Sequence, residues 1–221
     1  MQGKLIVFEG VEGSGKTTQL QRIYHWLQHQ TPLGSDSIVI TREPGGTTLG
    51  QNLRHLLLDG NATEPISDQA ELLLYAADRA QHVTHCLKPH LEQGSLILCD
   101  RFTDSTIAYQ GYGRGLDFNL IDQLNQIATQ GLQSDLTLWF DIDAATGLAR
   151  THKRGISDRM EQATLEFHQR VQQGFTQLAK QHPERIVTID ASLTMDEITQ
   201  QVQQILTQRL QEWGLWNNEP V

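Results

Sequence analysis

Gly10-Val11-Glu12-Gly13-Ser14-Gly15-Lys16-Thr17 fits the pattern G-x-x-x-x-G-K-[ST], a phosphate-cradling loop. Its flanks are what such a loop needs. Lys4-Leu5-Ile6-Val7-Phe8 before it is a short apolar run that predicts a buried strand. After it, Leu20, Ile23, Tyr24 and Leu27 recur at helical spacing. Strand, loop and helix in that order let backbone N–H groups close around phosphate oxygens at the positive end of the helix dipole. The segment from Gly10 to Thr18 is therefore read as a nucleotide cradle, with Lys16 reaching the β- and γ-phosphates and the Thr17 hydroxyl a ligand for Mg²⁺.

Four more apolar runs predict strands: 37–41, 95–99, 136–140 and 186–189. Between them lie helical patterns. One follows the Arg42-Glu43-Pro44-Gly45-Gly46-Thr47 loop and carries Leu49, Leu53, Leu56 and Leu57. A long one starts at the N-cap Ser67 and ends near Gly94. Helical segments broken by Gly111, Gly113 and Gly115 come next, then helices from about Ala144 and from about Arg159 to Lys180. Thr194 and Glu197 form a capping-box pattern that opens the last helix. Alternating strands and helices predict an α/β fold: a five-stranded parallel sheet flanked by helices, built as a single P-loop domain over 1–221. Ligands of such sheets bind beyond the C-terminal strand ends. Glu12, Arg42, Asp100, Arg101 and Asp141 follow strands directly and are expected to gather there.

The 221 residues suit one domain, or one domain with an insertion. With 26 acidic against 17 basic residues, the balance argues against a broad nucleic-acid surface. Cys86 and Cys99 are the only cysteines, too few for a disulfide framework, which points to a reducing cytoplasm. The opening residues run straight into the first strand, so no secretory leader is expected, and no apolar run approaches a membrane span.

A phosphate-bearing acceptor beside the γ-phosphate needs cations in fixed geometry, and arginine supplies them bidentately. Arg101, at the end of an apolar strand, fits that task, with a structural salt bridge as the alternative. Arg54 and Arg42 fit either phosphate binding or solvated charge. Tyr75 and Arg79, four apart on one helix, can stack on a base and bond its edge, or be a core tyrosine beside a surface arginine. Arg150, Lys153, Arg154 and Arg159 flank Gly155 and form a basic lid over about 150–160, or a solvated turn. His82, His85, Cys86 and His90 lack a ligand set at zinc spacing and read as a solvated helix face.

Together these pieces resemble the thymidylate kinase family over nearly the whole chain. The resemblance is carried by Phe8-Glu9-Gly10 through Thr18, the Thr41-to-Thr47 loop, Tyr75-Ala76-Ala77-Asp78-Arg79, Asp100-Arg101-Phe102, Ala108-Tyr109-Gln110-Gly111 and the arginine-rich lid. It implies ATP with Mg²⁺ as donor, dTMP as acceptor, a homodimer, and a bacterial form in which the lid supplies the catalytic arginine: Arg154 first, then Arg150 and Arg159. Arg101 and Arg54 would hold the dTMP phosphate, and Tyr75 would stack on thymine. Arg79, Thr106 and Gln110 would contact the base, Glu12 the sugar 3′-hydroxyl. Glu43, Pro44 and Ser105 would shape the acceptor site, and Asp100 would hold a water on Mg²⁺. The chain departs from the family in having Tyr75 where Phe is usual, Phe102 where Tyr is common and Thr106 where Ser is frequent. Two other classes stay open on the residues alone. One is another nucleotide or nucleoside kinase on the same fold. The other is a P-loop switch, although the Asn-Lys-x-Asp guanine reader of such switches is absent from the sequence.

Overall fold

The computed structural model describes residues 3–30, 37–59, 64–152, 155 and 158–216. Each of the five apolar runs forms a strand: β1 (Lys4–Glu9), β2 (Ile38–Arg42), β3 (Leu96–Asp100), β4 (Leu136–Asp141) and β5 (Ile186–Asp190). They form one sheet in the order β2-β3-β1-β4-β5, and every pair is parallel. Alternate side chains feed two cores. Ile6 and Phe8 pack with residues such as Leu20, Val171 and Val202, while Leu5 and Val7 pack with Val83, Leu87 and Phe102. Both faces of the sheet are thus covered, so the strands read as continuous apolar runs and not as alternating ones. In the register, Phe8 and Arg42 both pair with Asp100, which aligns the outgoing ends of β1, β2 and β3.

The helices are α1 (Lys16–Gln30), α2 (Thr48–Leu58), α3 (Asp68–His82), α4 (Lys88–Glu92), α5 (Thr103–Thr106), α6 (Phe118–Thr129), α7 (Ala144–His152), α8 (Leu165–Gln181) and α9 (Met195–Glu212). The capping box at Thr194 and Glu197 is formed in both directions. Ser67 caps α3 through the Ala70 N–H. The long helix expected from Ser67 to Gly94 is α3 and α4 joined by a π-helical turn, Val83–Leu87, placed just ahead of Pro89, which has no N–H to give.

Four expectations need correction. The helix expected from Arg159 begins at Leu165, because the Asp158 carboxylate accepts the N–H groups of Met160 and Glu161 and turns the chain there, and Thr164 then caps α8. Gly111 and Gly113 do not break the helix after α5. They lie inside a π-helical segment, Ile107–Gly113, where a Cβ would strike Phe118 or Phe167. His82 is not on a solvated face. It is fully buried against Thr41 and Glu43. Asp141 ends β4 as expected, but its carboxylate accepts from Gln172 and does not line the cavity at the other strand ends.

Candidate active site

The loop between β1 and α1 takes its shape from glycine. Gly10, Gly13 and Gly15 all have positive φ. At Gly13 a Cβ would run into the carbonyl of Gly147, and at Gly147 into the carbonyl of Glu12. Helix α7 therefore rests backbone to backbone on the loop, a contact that the isolated glycine in its helical pattern only hinted at. Lys16 opens α1, and its Nζ lies 3.7 Å from Glu12 Oε2. Burial and the neighbouring Arg101 depress the lysine pKa.

Next to the loop, β3 delivers Asp100 and Arg101. Arg101 adopts φ +72°, its N–H still bonded to the Phe8 carbonyl. This turns its guanidinium back over the loop. There it donates to Gly10 O (2.9 Å), Ser105 Oγ (3.2 Å) and Glu12 Oε2 (2.6 Å), and it lies over the Tyr109 ring. Among the described residues three of its five N–H groups find acceptors, which leaves two for a ligand. Glu12 also accepts from the Tyr109 hydroxyl at 3.0 Å. Behind this layer Glu9, fully buried, accepts the N–H of Phe102 and both the N–H and hydroxyl of Ser105. Glu9 and Tyr109 were not singled out from sequence. The signal for Glu9 was an acid closing an otherwise apolar run.

Burial pushes the Glu9 carboxyl up to about 7, against the pull of Arg101. Its folded pKa thus lies above the ordinary 4.5, and over that interval the folded chain keeps a proton the unfolded chain has lost. Stability therefore falls as pH rises through this window. Glu12 behaves oppositely: although burial raises it, Arg101 and Lys16 hold it down to about 2. Its contribution is present above about pH 4.5 and fades as pH drops toward 2. Glu9→Gln is expected to flatten the decline in stability between pH 5 and pH 7, read from urea unfolding at the two pH values. An undiminished decline would show that another group titrates there.

A cavity of about 280 Å³ spans from the loop to α3. Glu12, Gly13, Gly15, Lys16, Thr17 and Thr18 line one end, and Arg42, Glu43, Arg54, Tyr75, Arg79, Thr106 and Gln110 the other, with Asp100, Arg101 and Ser105 between. Arg54 donates to the carbonyl of Pro44 at 3.1 Å; Pro44, unlike Glu43 and Arg54, does not itself line the cavity. Neither Arg42 nor Arg54 forms an ion pair among the described residues, and burial, with repulsion from Arg42 added, lowers the Arg54 pKa. An unneutralised guanidinium pair of this kind fits an anionic ligand. Tyr75 makes no hydrogen bond among the described residues, and burial pushes its hydroxyl above the ordinary range. Arg79 is the opposite case, only 2 % exposed and held by Glu43 (2.8 Å), Thr106 (2.8 Å), Asn125 (2.8 Å) and the Phe102 carbonyl (3.0 Å). Four of its five N–H groups are engaged among the described residues, so it can offer a ligand one donor from a rigid position.

The basic segment divides. Arg154 lies outside the described residues. Arg150 points to the Ala191 carbonyl after β5 (3.2 Å). Arg159 donates to Leu57 O at 2.7 Å and to Glu71 Oε2 at 2.6 Å. Neither Arg150 nor Arg159 lines the cavity, whereas Asp158, Met160 and Glu161, none of them foreseen, do.

For a metal, Thr17 Oγ1 donates to Asp100 Oδ2 at 2.7 Å, and Asp100 Oδ1 is buried with no partner among the described residues. A hard divalent cation seeks oxygen ligands and keeps its waters. An orphaned carboxylate oxygen beside the P-loop hydroxyl fits Mg²⁺ held by Thr17 and, through water, by Asp100. No cluster of three or more His, Cys, Asp or Glu residues suited to a metal occurs among the described residues.

A family model described as thymidylate kinase matches residues 8–202. The thymidylate kinase of Acaryochloris marina is 59 % identical, covering 96 % of this chain and 99 % of its own length. That of Trichodesmium erythraeum is 58 % identical over 96 % and 99 % of the two chains. Among solved structures, thymidylate kinase from Ehrlichia chaffeensis superposes with a TM-score of 0.77 at 35 % identity, covering 93 % of this chain and all of its own.

Proposed function

The chain belongs to the thymidylate kinase family, and on that premise we propose that it transfers the γ-phosphoryl group of ATP to the 5′-phosphate of dTMP, giving ADP and dTDP. The observation that carries the proposal is a single cavity with a P-loop at one end and Arg101, Arg54 and Arg42 facing it. A nucleoside acceptor has no phosphate to occupy those guanidinium groups, whereas a monophosphate does.

The P-loop amides and Lys16 hold the donor phosphates. Arg101 and Arg54 grip the acceptor phosphate, Arg101 from a position between the two. Tyr75 stacks on the base, Arg79, Thr106 and Gln110 contact it, Glu12 accepts from the sugar hydroxyl, and Glu43 with Pro44 and Ser105 shapes the wall. The attacking phosphate oxygen is already largely ionised near pH 7, so the chain need not provide a strong base. Its work is alignment and charge. Thr17 and Asp100 would hold Mg²⁺, which neutralises charge on the phosphate oxygens. A lid over about 150–160, with Arg154 as its catalytic arginine, would close over the donor and exclude water.

The proposal extends to one catalytic domain that pairs as a homodimer. Leu56 on α2, Leu73 on α3 and Ile127 on α6 are 59, 56 and 72 % exposed on helices of which α3 packs against both others, surface suited to a second copy. Sedimentation velocity reads the assembly. The proposed compartment is the cytoplasm, consistent with two free thiols. No helix among the described residues is long and apolar enough to cross a membrane.

The test is ADP release from ATP–Mg²⁺ with and without dTMP, followed by identification of dTDP. Strong stimulation with equimolar dTDP is expected. Stimulation by CMP or thymidine but not by dTMP would reassign the acceptor, and turnover indifferent to every monophosphate would remove the kinase reading.

A further inference from the structure

Glu71 lies on the cavity side of α3, one helical turn before Tyr75, and is itself fully buried. It does not line the cavity, yet three groups converge on it. Gln110 Nε2 donates to Oε1 at 2.8 Å, Arg114 Nη2 to Oε2 at 3.0 Å and Arg159 Nη2 to Oε2 at 2.6 Å. With two guanidinium groups on it, the carboxylate stays ionised and can only accept.

That restriction has a consequence for Gln110. An amide can present either end to a ligand, and a neutral partner would tolerate both. A carboxylate partner tolerates only the NH₂ group. The Gln110 carbonyl oxygen therefore has no protein partner among the described residues, is not sealed from the cavity, and becomes the end offered to a base. An acceptor there matches the N3–H of thymine, which is a donor. It opposes cytosine, whose N3 carries a lone pair. Uracil shares the N3–H edge, so this device cannot separate dTMP from dUMP.

We propose that Glu71 is a positioning residue for base selection: its carboxylate locks the Gln110 amide with the carbonyl oxygen toward the cavity, selecting a base that donates at N3. The inference rests on the reading of the chain as a dTMP kinase. Arg159, at the end of the basic lid segment, bonds the same carboxylate, so the test must separate selection from mere support.

Steady-state kinetics of Glu71→Gln with dTMP and dCMP make that separation. The neutral amide can donate to Gln110 as well as accept, so the lock is lost. KM for dTMP is expected to rise about tenfold with kcat and the KM for ATP little changed, and the dTMP-over-dCMP ratio of kcat/KM to fall about tenfold. In a Gln110→Ala background, where there is no amide to orient, the same substitution is expected to add less than about twofold. Equal losses with both nucleotides, or effects that simply multiply in the double variant, would make Glu71 a structural residue and overturn the proposal. A wild-type chain inactive on dTMP overturns both readings. An active wild type whose selectivity survives Glu71→Gln overturns this one alone. Should Glu71→Gln not fold, the wild-type chain still decides. Its Gln110 side-chain NH₂ resonances, assigned by their loss in Gln110→Ala, are expected to exchange slowly with water with and without dTMP. Fast exchange would overturn the lock.

Discussion

Replacing Lys16 by alanine is expected to lower turnover by about a thousandfold while leaving the fold intact. Alanine is a good residue at the first position of α1, and the glycine-shaped loop owes nothing to the lysine side chain. Glu12 keeps its 2.6 Å bond to Arg101 when Lys16 Nζ, 3.7 Å away, is removed. What disappears is one preorganised cation in a partly dehydrated site. Charge there counts for more than in water, because the surroundings need not reorganise during transfer. The check is kcat at saturating ATP–Mg²⁺ and dTMP, with thermal unfolding as control. A variant within tenfold of wild type would remove Lys16 from the mechanism.

Arg101→Ala is expected to cost both rate and stability. The rate should fall by about a thousandfold or more, the usual range for an arginine at a transferring phosphoryl group. Stability should fall by about 1–3 kcal/mol, because the partly buried Glu12 loses its guanidinium partner and keeps only Lys16 at 3.7 Å and the Tyr109 hydroxyl at 3.0 Å. The two losses can be separated. Adding Glu12→Gln to the variant removes the stranded charge and is expected to restore part of the stability but none of the turnover. Arg101→Lys should not rescue activity, because one ammonium cannot bond Gly10 O, Ser105 Oγ and Glu12 Oε2 together and still face a phosphate. Urea unfolding and kcat for the three variants check this. Near-normal turnover in Arg101→Ala would break the proposed alignment of donor and acceptor.

The two substitutions differ in how openly the sequence announced them. Lys16 belongs to a contiguous motif whose purpose is local: glycines for positive φ, a lysine and a hydroxyl at a helix start. Arg101 was recognisable as a cation at the end of an apolar strand, but its direction was not. The left-handed backbone at Arg101 and the bond from its N–H to Phe8 O come from an adjacent strand 93 positions earlier in the chain. Glu9 was hidden for the same reason. Its partners, Phe102 and Ser105, meet it only after β1 and β3 pair.

His82 and Arg159 show where pattern reading fails. On helical spacing alone His82 falls on a polar face. It is buried because α3 leans on the end of β2 and the loop after it, where Thr41 and Glu43 provide hydrogen-bond partners for both ring nitrogens. Arg159 reads as one of a group of basic lid residues, but a buried carboxylate 88 positions away takes up its guanidinium. No local pattern encodes which acid an arginine will meet.

Local information was therefore enough for the five strands, the phosphate loop, the caps at Ser67 and Thr194, and the α/β class. Each depends on a run of neighbouring residues whose backbone preferences and burial pattern agree. Long-range contacts alone set the strand order, the turn of Arg101 over the loop, the grip on Arg79 and the convergence of Gln110, Arg114 and Arg159 on Glu71. Those depend on which distant groups the sheet brings within hydrogen-bond reach, and a buried charge takes its orientation, partners and pKa from the groups that surround it.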